Sequence, residues 1–201
     1  RVLLGEGHAN LVLARVDALS ALARALVQKA AVVGVAFRSS VLAVVAGAEA
    51  AAALVEVLRA GILERRTGVY DLGFASESIQ RAVYDSLTFA LRRELHGAVA
   101  SHLESMTDPN VGAIATHKHL AETSDAGDWL VRAAQAAESA YDRNSAIRYL
   151  DMALEAAPAE GTRLRYFRGR LHMQTGRIPE AQSDLEAAAE LTLDPARPLG
   201  N

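Results

Sequence analysis

The chain of 201 residues contains no cysteine. That absence excludes disulfides, thiolate zinc sites and thiol nucleophiles together. Aromatic residues are scarce as well, 5% against a hydrophobic share of 51%. Cores must therefore be built from Ala, Leu and Val, which suits close-packed helices better than a broad sheet. No apolar run reaches the roughly eighteen residues a membrane span requires. Ala30–Phe37 and Val41–Val55 are interrupted by Arg38, Ser39, Ser40, Gly47 and Glu49, which predicts buried helices. A basic excess is also missing: Lys and Arg number 21 and Asp and Glu 24, a net charge of -3, the wrong sign for a general grip on phosphates. With no secretory signal either, the expectation is a cytoplasmic protein without a membrane or nucleic-acid partner. The chain starts without Met and in mid-pattern, which leads us to expect a piece of a longer protein.

What is present divides into two parts. The length suits two small domains, and the turn-forming run Met106-Thr107-Asp108-Pro109-Asn110 places the boundary between residues 1–106 and 107–201. In the first part, helices are expected over Asn10–Leu19, Ala21–Val33, Ser40–Ala46 and Glu49–Ala60. Ser20 is the predicted N-cap of the second, and Gly34, Gly47 and Gly61 are the predicted stops. Ile62–Arg66 and Val69–Leu72 flank Thr67-Gly68, a pattern that predicts a β-hairpin with a two-residue turn. Ser76 or Ser78 then caps a helix carrying Ile79, Val83 and Leu87, and a further helix from about Phe89 to Glu104 continues its apolar stripe. This order of elements is that of a winged-helix module. In such a module the third helix reads DNA, yet Glu49–Ala60 carries Glu49, Glu56 and Arg59, a formal charge of 1 - 2 = -1.

The second part reads as helices at Val111–Glu122, Asp128–Tyr141, Ser145–Ala156, Thr162–Gln174 and Pro179–Leu191. An offset of 35 residues aligns Ala134 with Gly169, Ala146 with Ala181, Leu150 with Leu185 and Ala153 with Ala188. Small residues recurring in register mark helical hairpins that stack on one another.

Motifs that carry chemistry are missing. The phosphate loop GxxxxGK[ST] is absent, as is an acid-terminated strand for magnesium, and Gly5-Glu6-Gly7 follows no strand. His117 and His119 stand two residues apart, which on a helix turns their rings away from each other. His96 and His102 also lack ligand spacing, His172 has no acidic partner at that spacing, and Asp184 and Glu186 fall on different helix faces. The expectation is a chain that is not an enzyme and holds no metal or cofactor.

Ala134, Ala146, Ala153 and Pro158, and again Gly169, Ala181, Ala188 and, two residues late, Pro195, resemble the small-residue signature of tetratricopeptide repeats. In the first part, Leu13–Leu19, Lys29–Gly34 with Phe37, Phe74, Tyr84–Leu87 and Arg92–His96 resemble the segment that follows the ATPase core in bacterial signal-transduction ATPases with numerous domains. Such segments occur in adenylate cyclase-like proteins and large LuxR-type transcription regulators. The resemblance implies a mainly α fold, a winged-helix-like module with one small hairpin followed by tetratricopeptide-like hairpins. It also implies a regulatory, protein-interaction role that couples an upstream nucleotide-binding domain to a repeat scaffold, with ATP or ADP bound only in that upstream domain. The alternative is the DNA-binding part of a transcription regulator. In the family a histidine often stands two positions after the aromatic residue, where this chain has Ser76. Ser76, Arg92 and Arg93 are the expected docking residues for a neighbouring domain of the same chain. For a protein partner, the expected groove residues are Tyr141, Arg148, Tyr149, Arg165, Tyr166 and Arg168, because tyrosine and arginine are favoured at binding hot spots.

Overall fold

Hydroxyl, carboxamide and carboxylate oxygens fix where several of the helices begin. Ser20, Ser76, Thr88, Asn110 and Asp142 each accept a hydrogen bond from the amide three residues on, which satisfies a donor that the first helical turn leaves free. The structure is a computed structural model that describes residues 11–47 and 50–193. Gly5-Glu6-Gly7, Glu49 and Pro195 lie outside the described residues. The fold is mainly helical with one small antiparallel sheet, and the chain divides into two compact units at Pro109 and Asn110.

The first unit runs α1 (residues 11–17), α2 (Ala21–Val33), β1 (Ala36–Phe37), α3 (Ser39–Ala46), α4 (Ala50–Arg59), β2 (Leu63–Arg65), β3 (Leu72–Phe74), α5 (Glu77–Ser86) and α6 (Phe89–Glu104). Helix α2 is its axis, contacting α3, α4, α5 and α6 and burying Ala23, Leu26, Val27, Ala30, Ala31 and Val32. It ends at Gly34, whose φ of 141° lies in the region that glycine reaches most cheaply. The sheet has the order β1-β3-β2, and β3 is buried throughout. Phe74 shows no exposure and packs in one cluster with Ile62, Leu63 and Leu72.

The hairpin differs from the expected one. Leu63 pairs with Phe74, Glu64 with Gly73 and Arg65 with Leu72, and the Arg66 amide donates to the Asp71 carbonyl at 3.0 Å. The connection is therefore the longer stretch Thr67–Tyr70, not the two-residue turn Thr67-Gly68. Two forces move the register. Asp71 is drawn out of the turn by Ser39, whose amide and hydroxyl both donate to its carboxylate, and β1 claims the other edge of β3. Gly73 makes this three-stranded contact possible, since a Cβ there would stand 2.9 Å from the Val35 carbonyl oxygen. Glu56 repeats the Asp71 arrangement, accepting from the Ser20 amide at 2.7 Å and from its hydroxyl at 2.6 Å.

The second unit consists of α7 (Val111–Leu120), α8 (Ala126–Ser139), α9 (Arg143–Ala156), a 3-10 turn (Pro158–Glu160), α10 (Gly161–Gln174) and α11 (Ile178–Leu193). Each helix packs on the next, and Leu130, Leu150, Leu164 and Leu171 fill the core between the small residues Ala134, Ala146 and Ala153. At Gly169 a Cβ would meet the Leu185 Cγ at 3.0 Å and the Asp184 Cβ at 3.1 Å. The glycine that aligns with Ala134 thus sets how closely α10 and α11 approach.

Acid should loosen this fold in two stages. Burial pushes the His117 imidazole down to about 4, so the unfolded chain takes up that proton first and stability falls as pH drops below about 6.5. Hydrogen bonds from Ser20, Ser39 and Ser145 hold Glu56, Asp71 and Asp142 below the usual carboxylate range, as the Lys118 ammonium does for Asp125. Their stabilising contribution is present above about pH 4.5 and is lost as pH falls through their lowered values. Thermal melts across this range should show a His117→Gln variant missing the first stage and retaining the second.

Candidate protein-interaction site

With 3.6 residues per turn, the exposed residues of α10 fall on a single stripe: Arg163, Tyr166, Arg170, Met173 and Gln174. Tyr166 is 62% exposed and Met173 56%, a high value for side chains of this size. The exposed positions of α8 (Asp128, Arg132, Gln135, Ala136 and Ser139) form a second stripe. The two helices are tied at this surface by an ion pair between Arg170 and Glu138 at 2.8 Å. Beside it, Val131, Arg132, Gln135, Arg163 and Leu164 contribute to a depression of about 310 Å3. Arg132 lies over the Trp129 ring at 4.6 Å, a cation–π contact that favours one placement of its guanidinium. The result is an exposed surface of aromatic, thioether and guanidinium groups, residue types enriched at protein interfaces.

Of the groove residues expected from sequence, only Tyr166 stands on this surface. Arg168 points the other way, into a buried carboxylate. It donates to both oxygens of Asp184, at 2.7 and 2.6 Å, and to Asp151 at 2.6 Å, and the Asp184 bonds raise its pKa further. Arg165 lies 3.9 Å from the same Asp184. Both arginines therefore fasten α10 to α11. The His172 Nε2 also stands 3.9 Å from the Asp184 carboxylate, an acidic neighbour that sequence spacing did not disclose. Tyr149 is half-buried against the core of the unit, and its hydroxyl fills the space over Gly112. Arg148, on the same helix, stacks at 5.4 Å on Tyr149. Tyr141 is 78% exposed but lies in the turn after α8.

In the first unit, the Ser76 hydroxyl caps α5 and stands 2.9 Å from that of Ser78. Arg92 lies over the Tyr84 ring at 5.2 Å with its Nε buried, and Arg93 lies over Phe89 at 5.7 Å. Ser76 and Arg92 are thus engaged within their own unit, while Phe89 is 59% exposed. No family model, curated protein or solved structure matches the chain. Among the described residues, no group of three or more metal-ligating side chains could hold an ion, and no helix is long and apolar enough to cross a membrane.

The residues missed by sequence reasoning are Arg132, Gln135, Arg163, Arg170 and Met173. Their signal was the spacing Arg163, Tyr166, Arg170, Met173, which repeats at three and four residues along one helix face. It was masked by Arg165 and Arg168, which share the composition but face α11.

Proposed function

We propose that the chain is a non-catalytic regulatory and interaction module, in which a winged-helix-like unit is joined to tetratricopeptide-like hairpins that recruit a protein partner. The observation that carries this reading is the surface shared by α8 and α10, where Tyr166 and Met173 stand exposed between ordered arginines. The order of helices and hairpin in the first unit, and the aligned small residues Ala134 and Gly169 in the second, support the two named architectures. The resemblance to signal-transduction ATPases adds the expectation that an upstream nucleotide-binding domain is coupled to these repeats in the cytoplasm.

The DNA-binding alternative finds less support. The exposed stripe of α4 is Ala51, Ala52, Val55 and Arg59, and Glu56 is occupied by Ser20, so the helix offers a single cation to phosphates. ATP turnover and nucleotide affinity measured on the 201-residue chain test the non-catalytic part of the proposal. Neither turnover nor micromolar affinity is expected, and either one contradicts it.

A further inference from the structure

Tyr141 adopts φ of 62°, a left-handed conformation that glycine or asparagine would reach at lower cost, and 78% of its surface is open to solvent. Such an outlier points to a use for the ring. Its surroundings supply one. The turn between α8 and α9 and the turn between α10 and α11 are laced together: the Arg143 Nε donates to the Gln174 side-chain oxygen at 3.0 Å, and an Arg177 nitrogen donates to the Asn144 side-chain oxygen at 2.7 Å. Arg143 also lies 5.9 Å from the Tyr141 ring. Met173, 56% exposed, and Ile178, 58% exposed, directly adjoin the bonded Gln174 and Arg177 in the chain. One edge of the second unit therefore gathers three large apolar side chains around two fixed guanidiniums.

The charge of that edge selects its partner. Among the described residues, Arg143 and Arg177 are bonded to neutral amides and to no carboxylate, whereas Arg170 is already matched by Glu138. Asp142 spends its carboxylate on the Ser145 amide at the start of α9, where the helix end favours negative charge. We infer that this turn edge docks an acidic segment of a protein partner, with apolar side chains seated against Tyr141, Met173 and Ile178 and carboxylates taken by Arg143 and Arg177. Guanidiniums held in place by hydrogen bonds to side-chain amide oxygens suit recognition of carboxylates by their remaining N–H groups. The inference rests on the interaction reading above and shares Met173 with that surface, but it turns on Tyr141, Arg143 and Arg177, so variants at Tyr141 and at Tyr166 let the two fail separately.

The test uses the whole chain as bait for a displayed library of random short peptides, followed by titration of the selected peptides. Enriched peptides should combine Asp or Glu with large apolar residues. Tyr141→Gly should weaken them by about tenfold or more while the melting temperature stays equal or rises, since glycine accepts the positive φ. Arg143→Gln with Arg177→Gln should give a similar loss that shrinks at high salt. A selection in which no acidic class loses affinity for Tyr141→Gly, every enriched peptide being basic or binding that variant undiminished, overturns the inference. If those same peptides are lost on Tyr166→Ala, the α8 and α10 surface is the site and the interaction reading survives. Failure to enrich any peptide overturns both. Tyr141-dependent sedimentation with phosphatidylserine vesicles, without acidic-peptide binding, would assign the edge to a lipid headgroup and also overturn the inference.

Discussion

Asp184→Ala should destabilise the second unit by about 3–5 kcal/mol, because it strands a guanidinium that was bonded to a buried carboxylate. The Asp184 side chain is 4% exposed and that of Arg168 20%, so water can compensate little of the loss. Asp151, whose side chain is half exposed, retains one bond to Arg168, but a pair open to solvent on one side contributes at most about 1 kcal/mol. Urea unfolding followed through the fluorescence of Trp129, the sole tryptophan, reports the effect. The double variant Arg168→Met with Asp184→Leu should recover most of the stability, since apolar residues of similar size remove the desolvation cost of both charges. A change below about 1 kcal/mol for Asp184→Ala would mean that the α10 and α11 pair does not depend on this cluster.

Phe74→Ala should cost the first unit about 3–5 kcal/mol. The ring has no exposed surface and fills the space between β3 and the residues Ile62 and Leu63, so its removal leaves a cavity that the short strands cannot collapse around. The backbone there is fixed from both sides, with the Phe74 amide donating to the Val35 carbonyl and its own carbonyl accepting from Arg66 at 2.8 Å. Loss of helical circular dichroism at a lower urea concentration, with an unchanged m-value, is the expected result. Phe74→Leu should retain most of the stability, because it preserves much of the buried volume.

Both substitutions bear on how far the fold could be read from sequence. The helices of the second unit were legible to within a few residues, because Ala134, Ala146, Leu150 and Ala153 recur at helical spacing and short turns separate the segments. Capping by Ser20 was legible for the same local reason, while the sequence left Ser76 and Ser78 open as the cap of α5, which the structure assigns to Ser76. The sheet was not. Ala36–Phe37 is too short for period-two alternation to be visible, and the register of Leu63 against Phe74 depends on Asp71 reaching Ser39, a contact 32 residues away in sequence. The exposed face shared by α8 and α10 was only partly legible: Tyr166 was named from the sequence, but a helix carrying Arg163, Arg165, Arg168 and Arg170 does not declare which pair faces Asp184. Burying that carboxylate decided it.

The role of the α8 and α10 surface is tested most directly by one affinity comparison. Peptides selected from a random displayed library on the 201-residue chain are titrated against the wild type and against Arg163→Ala with Tyr166→Ala. Both side chains are exposed, so the variant should melt close to the wild type. If this surface recruits a protein partner, a class of selected peptides loses affinity for the variant by about tenfold or more. Undiminished binding of every selected peptide to the folded variant would contradict that role.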